Sequence, residues 1–278
     1  MNAYIEILRP GNAFMAVVAV ILMAIIDKQF TANVLIGCIL VFIATGAGNV
    51  INDYFDFEID KINRPDRAIP SGRIKREHAL YYSIILFIIS IILSFTISTE
   101  IVAVVVICDI LMILYAYDFK KRILIGNITV ALLTAITFIY TGVIVSDVNL
   151  GFYLAVFAFI MTLSREIIKD TEDIIGDRQA GANTFPIKYG QKSAVIVAVI
   201  LNIIACILTP FLYTTGVFDI DYLVVVVFAD ILFLISAKMA LSDYSKENLH
   251  KVSSYMKIAM FISFISFMLG SWINIIPV

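Results

Sequence analysis

Nine apolar runs, each near the length needed to cross a bilayer, constrain this chain more than any other feature. They cover roughly residues 10–27, 33–55, 79–98, 101–117, 124–146, 150–168, 193–215, 221–241 and 255–275. A bilayer core takes about 20 apolar residues per helix, and only helices or closed barrels satisfy their backbone against lipid. Runs of this length predict an all-α membrane protein of nine transmembrane helices. The 61% hydrophobic content, 15% charged content and mean hydropathy of +0.98 exclude an ordinary soluble globule. A formal net charge of −2 argues against nucleic acid as a partner. Cys38, Cys108 and Cys206 each lie inside an apolar run without C-x-x-C spacing, which suits buried thiols rather than a disulfide or metal site. The first run lacks an A-x-A site and leads straight into a second span, so no cleavable signal is expected.

The bases set an orientation. Of 20 Lys and Arg, only Lys28 falls in an odd-numbered connection; the other 19 lie at the N-terminus or in and beside the even-numbered ones. By the positive-inside rule the N-terminus is cytoplasmic, the C-terminus is outside, and every charged loop is cytoplasmic.

Acids interrupt this pattern at two places. In "NDYFDFEIDKINRPDRAIPSG" (52–72), Asn52, Asp56 and Asp60 are four apart, flanked by Asn49 and Asp53 on the same stripe. On a helix these neighbours stand about 6 Å from one another. A shift of 117 positions carries Asn49, Asp53, Asp56 and Asp60 onto Glu166, Asp170, Asp173 and Asp177 of "REIIKDTEDIIGDRQAGANTFPIKYG" (165–190). "VVVICDIL" (104–111) resembles "VVVFADIL" (225–232) at an offset of 121. Both matches join helices four apart, which implies a degenerate four-helix internal repeat around a central cavity, with the two acidic stripes facing each other across it.

Opposed carboxylates at a membrane surface suit a hard divalent cation. Mg²⁺ is usually held by a few carboxylates together with substrate phosphates. Arg9, Arg64, Arg67 and Lys120, on the same expected side, could reach the phosphate oxygens. A diphosphate carrying a long apolar tail would use both halves of the composition, which points to an allylic prenyl diphosphate. The plainer alternative makes each stripe a solvated helix end beside a basic loop. Asp109 and Asp230, inside their spans, are either functional or bonded across the repeat interface. His78 and His250, in charged loops without ligand-like partners, read as surface histidines. The stretch 60–72, with Pro65, Pro70 and Gly72, is an ordered loop that serves as a lid or only as a connection. A secondary transporter would place its acids at midplane rather than at base-matched helix ends. A CDP-alcohol phosphotransferase would carry a DG-x2-AR run, which is missing here.

The two acidic motifs resemble those of the UbiA superfamily of intramembrane prenyltransferases. "LRPGNAF" (8–14) and "KKRILIGN" (120–127) are similar to that family's N-terminal and fourth-loop signatures. The resemblance runs over nearly the whole chain and implies one prenyltransferase domain, 1–278, of nine helices. It places Mg²⁺ on Asn52, Asp56, Asp60, Asp173 and Asp177, with Asp56, Asp60, Asp173 and Asp177 catalytic and Asp53 and Asp170 supporting. The donor diphosphate falls to Arg9, Arg67 and Lys120. Within the superfamily the second motif looks most like the archaeal branch that joins a geranylgeranyl chain by an ether bond to geranylgeranylglyceryl phosphate. Aromatic quinone precursors and tetrapyrroles are the alternative acceptors. A dianionic lipid phosphate beside a diphosphate needs extra positive charge. Arg64, Arg73, Lys121 and Arg122 are the candidates for it, in loops that also hold Lys75 and Arg76. The implied chemistry is ionisation of the allylic C–O bond and attack by the acceptor hydroxyl, whose base is an Asp of the second motif or the leaving diphosphate. Tyr54, Phe55, Tyr115 and Tyr117 either face the cation or serve as packing and interface anchors.

Overall fold

A computed structural model describes residues 2–179 and 181–272. Among them there are helices and turns and no strand. Eight helices are long and apolar enough to cross a membrane: α3 (Ala32–Phe55), α5 (Arg76–Ser94), α6 (Thr99–Tyr117), α7 (Ile125–Val145), α8 (Val148–Glu172), α11 (Gln191–Thr214), α12 (Ile220–Ser242) and α13 (Lys246–Trp272). The apolar helix α2 (Pro10–Ile26) is shorter, at 17 residues, the low end of the spanning range. Short helices α1 (Ala3–Glu6), α4 (Phe57–Asn63), α9 (Ile174–Gln179) and α10 (Phe185–Tyr189) fill the connections. The chain is a multi-pass membrane protein.

Helix starts follow local chemistry. Thr31 and Ser98 lie just outside α3 and α6, and their hydroxyls accept from the backbone N–H of Val34 and Ile101, as N-caps do. The final helix departs from expectation. It begins at Lys246, nine residues before the expected 255: Ser245 Oγ accepts from the Asn248 amide at 3.3 Å and starts the helix in a charged stretch that hydropathy alone assigns to a loop. The expected end of that span, 273–275, lies outside the described residues.

Helix α5 turns large apolar residues outward and mostly small ones inward. On α5, Ser83, Ser90 and Ser94 are fully buried while Ile85, Ile88 and Ile92 are exposed. Lipid is as apolar as isoleucine, so close approach through small residues, not hydrophobic sorting, selects the inner face.

The chain folds as two compact units. The first comprises Met1–Ala24, Lys28–Lys120 and Ile136–Phe152; the second comprises Ile25–Asp27, Lys121–Ala135 and Tyr153–Val278. In the first, α3 packs against α5 and α6. Gly46 of α3 lies under Leu8, where a Cβ would come within 3.0 Å of the leucine side chain. That close approach seats the N-terminal segment on α3. In the second unit α12 and α13 make the most extensive helix pair. Phe218, Tyr222 and Phe267 stack at its end, and the Gly270 carbonyl accepts from the Asp219 amide at 3.1 Å.

A Cβ at Gly270 would collide with the Cβ of Tyr222, at a separation that no packing tolerates. Gly270→Leu should therefore destabilise the protein by about 2 kcal/mol, the usual cost of overpacking. Thermal unfolding in detergent should show a clear drop in Tm, with the α12–α13 end the first region to lose hydrogen-exchange protection.

Candidate active site

The first acidic motif closes α3. Asp56 adopts φ −81° and ψ 1°, ending α3 at Phe55 and starting α4 at Phe57. Its amide still bonds the Asn52 carbonyl at 2.9 Å, and its carbonyl accepts from the Asp60 amide at 2.8 Å. One-turn spacing thus survives the break, and Asn52, Asp56 and Asp60 follow one another as expected. Asn52 Nδ2 donates to Asp56 Oδ2 at 2.8 Å, which fixes the pair.

Bases from three distant segments converge on these acids. Arg9, just ahead of α2 with a left-handed φ of 50°, pairs through Nη2 with Asp53 Oδ1. Arg67 Nη1 reaches the same oxygen at 3.1 Å and Asp60 Oδ2 at 2.7 Å. Lys120 Nζ donates to Asn52 Oδ1 at 3.0 Å and pairs with Asp56. Each base expected to meet the diphosphate therefore meets a motif acid. Asp53, expected only as support, is the hub: it is 5% exposed and takes two guanidinium groups. Pairing is what makes a buried carboxylate tolerable.

The remaining bases of the second loop divide. Arg76 Nε donates to the Tyr54 carbonyl, and its guanidinium lies 4.7 Å from the Tyr54 ring centroid. Tyr54, Phe55 and Tyr117 form a chain of edge-to-face contacts. Arg64 caps α4 through its amide and is exposed. Arg73, expected as an acceptor ligand, is instead bonded to Glu6 at 2.5 and 2.7 Å. That contact holds the Glu6 carboxyl below the usual carboxylate range.

The second motif repeats the backbone pattern. Helix α8 ends at Glu172, Asp173 is the break, and α9 follows. The Asp173 amide bonds the Lys169 carbonyl at 2.9 Å, and the Asp177 amide bonds the Asp173 carbonyl at 3.0 Å. The partners differ. Asp170 accepts from Asn127 Nδ2 at 2.8 Å. Glu166 is held by Arg165 and Lys169 at 3.2 Å each. Asp173 is exposed, with Lys246 at 3.9 Å. Burial first, and then the charge of Asp173, push the Asp177 carboxyl up to about 6. Lys121 is exposed and its carbonyl accepts from the Asn183 amide in the loop after α9; Arg122 is also exposed.

Several participants were not singled out in the sequence. His250, expected at the surface, is exposed there, and its Nδ1 lies 2.8 Å from Glu172 Oε1; the early start of α13 brings it and Lys246, which was not singled out, to the second motif. Asn127 closes the fourth-loop signature, and that position was its only signal. Glu6 had none, because its partner is 67 residues away.

Oxygen donors that repel each other, as Asp173 and Asp177 do, fit a hard divalent cation. Among the described residues no group of three or more His, Cys, Asp or Glu is arranged to hold a metal.

Truncating Arg67 to Met should leave Asp53 and Asp60 poorly compensated and cost about 3 kcal/mol, as breaking buried pairs does. Adding Asp60→Asn should recover part of that loss. The coupling is readable as non-additive Tm shifts in the two single variants and the double.

Residues 13–265 match the UbiA prenyltransferase family. The digeranylgeranylglyceryl phosphate synthase of Methanosphaera stadtmanae is 59% identical over 271 residues, covering 98% of this chain and all of that one. A solved structure from work on digeranylgeranylglyceryl phosphate synthase in membranes superposes with a TM-score of 0.86 at 36% identity, covering 97% of both chains. A UbiA homologue from Archaeoglobus fulgidus, bound to GPP and Mg²⁺, shares the fold with a TM-score of 0.68 at 15% identity, over 95% of this chain and 99% of that one. The chain belongs to the UbiA prenyltransferase family.

Proposed function

We propose that this enzyme transfers a geranylgeranyl group from geranylgeranyl diphosphate to geranylgeranylglyceryl phosphate, forming an ether bond in archaeal membrane lipid synthesis. The observation that carries the proposal is the convergence of Arg9, Arg67 and Lys120 on the first motif's acids, in a chain 59% identical to a synthase named for that product. We read residues 1–278 as one prenyltransferase domain.

In this reading Asn52, Asp56, Asp60, Asp173 and Asp177 hold Mg²⁺, with Asp53 and Asp170 orienting them. Bound there, the ion would stabilise the negative charge that develops on the leaving diphosphate. Arg9, Arg67 and Lys120 meet the same charge from the protein side. Asp53, anchored by two arginines, keeps both guanidinium groups at the first motif. Apolar span residues exclude water from the allylic cation until the acceptor hydroxyl attacks carbon 1. That hydroxyl's proton passes to a second-motif carboxylate or to the leaving diphosphate. Exposed Arg64, Lys121 and Arg122 are the bases proposed for the acceptor phosphate. Aromatic and tetrapyrrole acceptors are disfavoured by the branch to which the relatives' names belong.

We also read the chain as a duplicated four-helix unit. The matching helix breaks at Asp56 and Asp173 support this. So do the left-handed residues Arg9 and Leu124, each followed two and three positions later by Gly and Asn. The reading keeps all charged loops and the reaction on the cytoplasmic face. Cysteines introduced at 61–76 or 178–190 should then be labelled only from the cytoplasm, and those near 147 or 219 only from outside. Labelling of both motif loops from the outside would overturn it.

Asp60→Asn and Asp177→Asn should each remove most activity while leaving an extractable, folded protein. EDTA should abolish wild-type turnover and Mg²⁺ restore it. Geranylgeranylglyceryl phosphate should be prenylated, and its dephosphorylated alcohol should react far more slowly. Equal rates with the two, or a preference for 4-hydroxybenzoate, would move the enzyme to another branch of the family.

A further inference from the structure

Arg73 is committed to a contact away from the acids. Its Nε donates to Ser71 Oγ at 3.0 Å, Nη1 to Glu6 Oε2 at 2.5 Å, and Nη2 to Glu6 Oε1 at 2.7 Å and to the Asp66 carbonyl at 2.6 Å. A guanidinium has five N–H donors, so these four bonds leave little to offer a substrate phosphate. The partners matter more than their number. Ser71 Oγ donates to the Arg67 carbonyl at 2.7 Å, and Asp66 is the residue before Arg67. The Arg73 fork thus grips the backbone on both sides of Arg67. At its other end, the Glu6 carbonyl accepts from the Arg9 amide at 3.0 Å. Arg9 and Arg67 then meet on the same oxygen of Asp53. The contacts close a ring: Asp53, Arg9, Glu6, Arg73, the 66–71 backbone, Arg67, and Asp53 again.

We infer that Glu6 and Arg73 are positioning residues for the donor end of the site, a clasp that sets Arg9 and Arg67 relative to each other. The assignment rests on the proposed function for its kinetic part alone. The pair is itself a weak source of stability, because its side chains are 41% and 33% exposed, and solvent screening leaves exposed pairs little net energy. The bidentate fork supplies direction instead. The apolar underside of the loop, Ala68, Ile69 and Ile74 packed with Ile7 and Val50, carries the loop's stability. Loss of the clasp should therefore loosen the two arginines without unfolding the unit. Small misplacements of this kind reduce rates well beyond their effect on stability.

The test uses the full-length protein in lipid nanodiscs, with Arg73→Glu, Glu6→Arg, the double charge swap and Arg73→Lys. Each single reversal should raise KM for geranylgeranyl diphosphate about tenfold, with KM for the acceptor nearly unchanged. The swap should recover most of that loss. Arg73→Lys, which keeps the charge but loses the fork, should behave like the reversals. Independently of turnover, trypsin should nick the chain after Arg67 faster in the single variants and return to the wild-type rate in the swap. A rise in acceptor KM that the swap fails to repair and that Arg73→Lys tolerates would make Arg73 an acceptor ligand and overturn the clasp. Wild-type kinetics and nicking rates in every variant would overturn it too. A wild-type protein that transfers no prenyl group would defeat the proposed function, while the nicking rates would still decide the clasp.

Discussion

The first unit's polar structure depends on one buried carboxylate. Asp53 sits in the last turn of a helix of membrane length, at 5% exposure. Left alone there, an anion would cost several kcal/mol; paired, it is tolerable. Two guanidinium groups supply the pairing from the N-terminal segment and the second loop. That requirement fixes where both segments lie. The close seating of Leu8 over Gly46 and the bond from Asn49 Nδ2 to the Leu8 carbonyl at 2.9 Å serve the same end. Residues 2–9 and 64–75 are thus tied to the first acidic motif as firmly as the spans are.

The two motifs share a backbone and differ in electrostatics. In the first, Asp53, Asp56 and Asp60 each meet a base. In the second, Asp170 meets a neutral amide, and Asp173 and Asp177 press on one another. On the proposed reading, a cation at the second motif would relieve a repulsion already present, while one at the first would compete with Lys120 and Arg67 for carboxylate oxygens. The bases so freed are those assigned to the diphosphate, so metal and diphosphate would bind the first motif better together than separately, as opposite charges exchange partners.

How much of this was legible in the sequence depended on the range of the signal. Spans were readable because hydropathy is local and summed over about 20 residues. Asn52, Asp56 and Asp60 were readable from their period, which survives the break at Asp56 because both flanking hydrogen bonds persist. The contact of Arg73 with Glu6 was not legible because a basic loop looks alike whether its bases face a substrate or a carboxylate 67 residues away. The pairing of His250 with Glu172 was hidden for a related reason: α13 begins within a charged stretch, where hydropathy sees only a loop. Sequence pattern carried the helices and the acids, and tertiary contact decided which base serves which acid.

Asp109 and Asp230 were open between function and packing, and local chemistry favours packing. Asp109 accepts from Ser90 Oγ at 3.1 Å, and Asp230 from Thr209 Oγ1 at 2.7 Å. Each hydroxyl also bonds a carbonyl three residues earlier on its own helix, Phe87 and Cys206 respectively. Acid and hydroxyl thus lie on α6 and α5 in one unit and on α12 and α11 in the other, a helix–helix tie of the kind small polar residues make in membranes. Such bonds average well under 1–2 kcal/mol each in lipid, too little to hold a bundle but enough to favour one register of two apolar helices over its neighbours. Apolar spans lack other means of fixing register. The acid–hydroxyl tie found in both units therefore belongs to the helix framework.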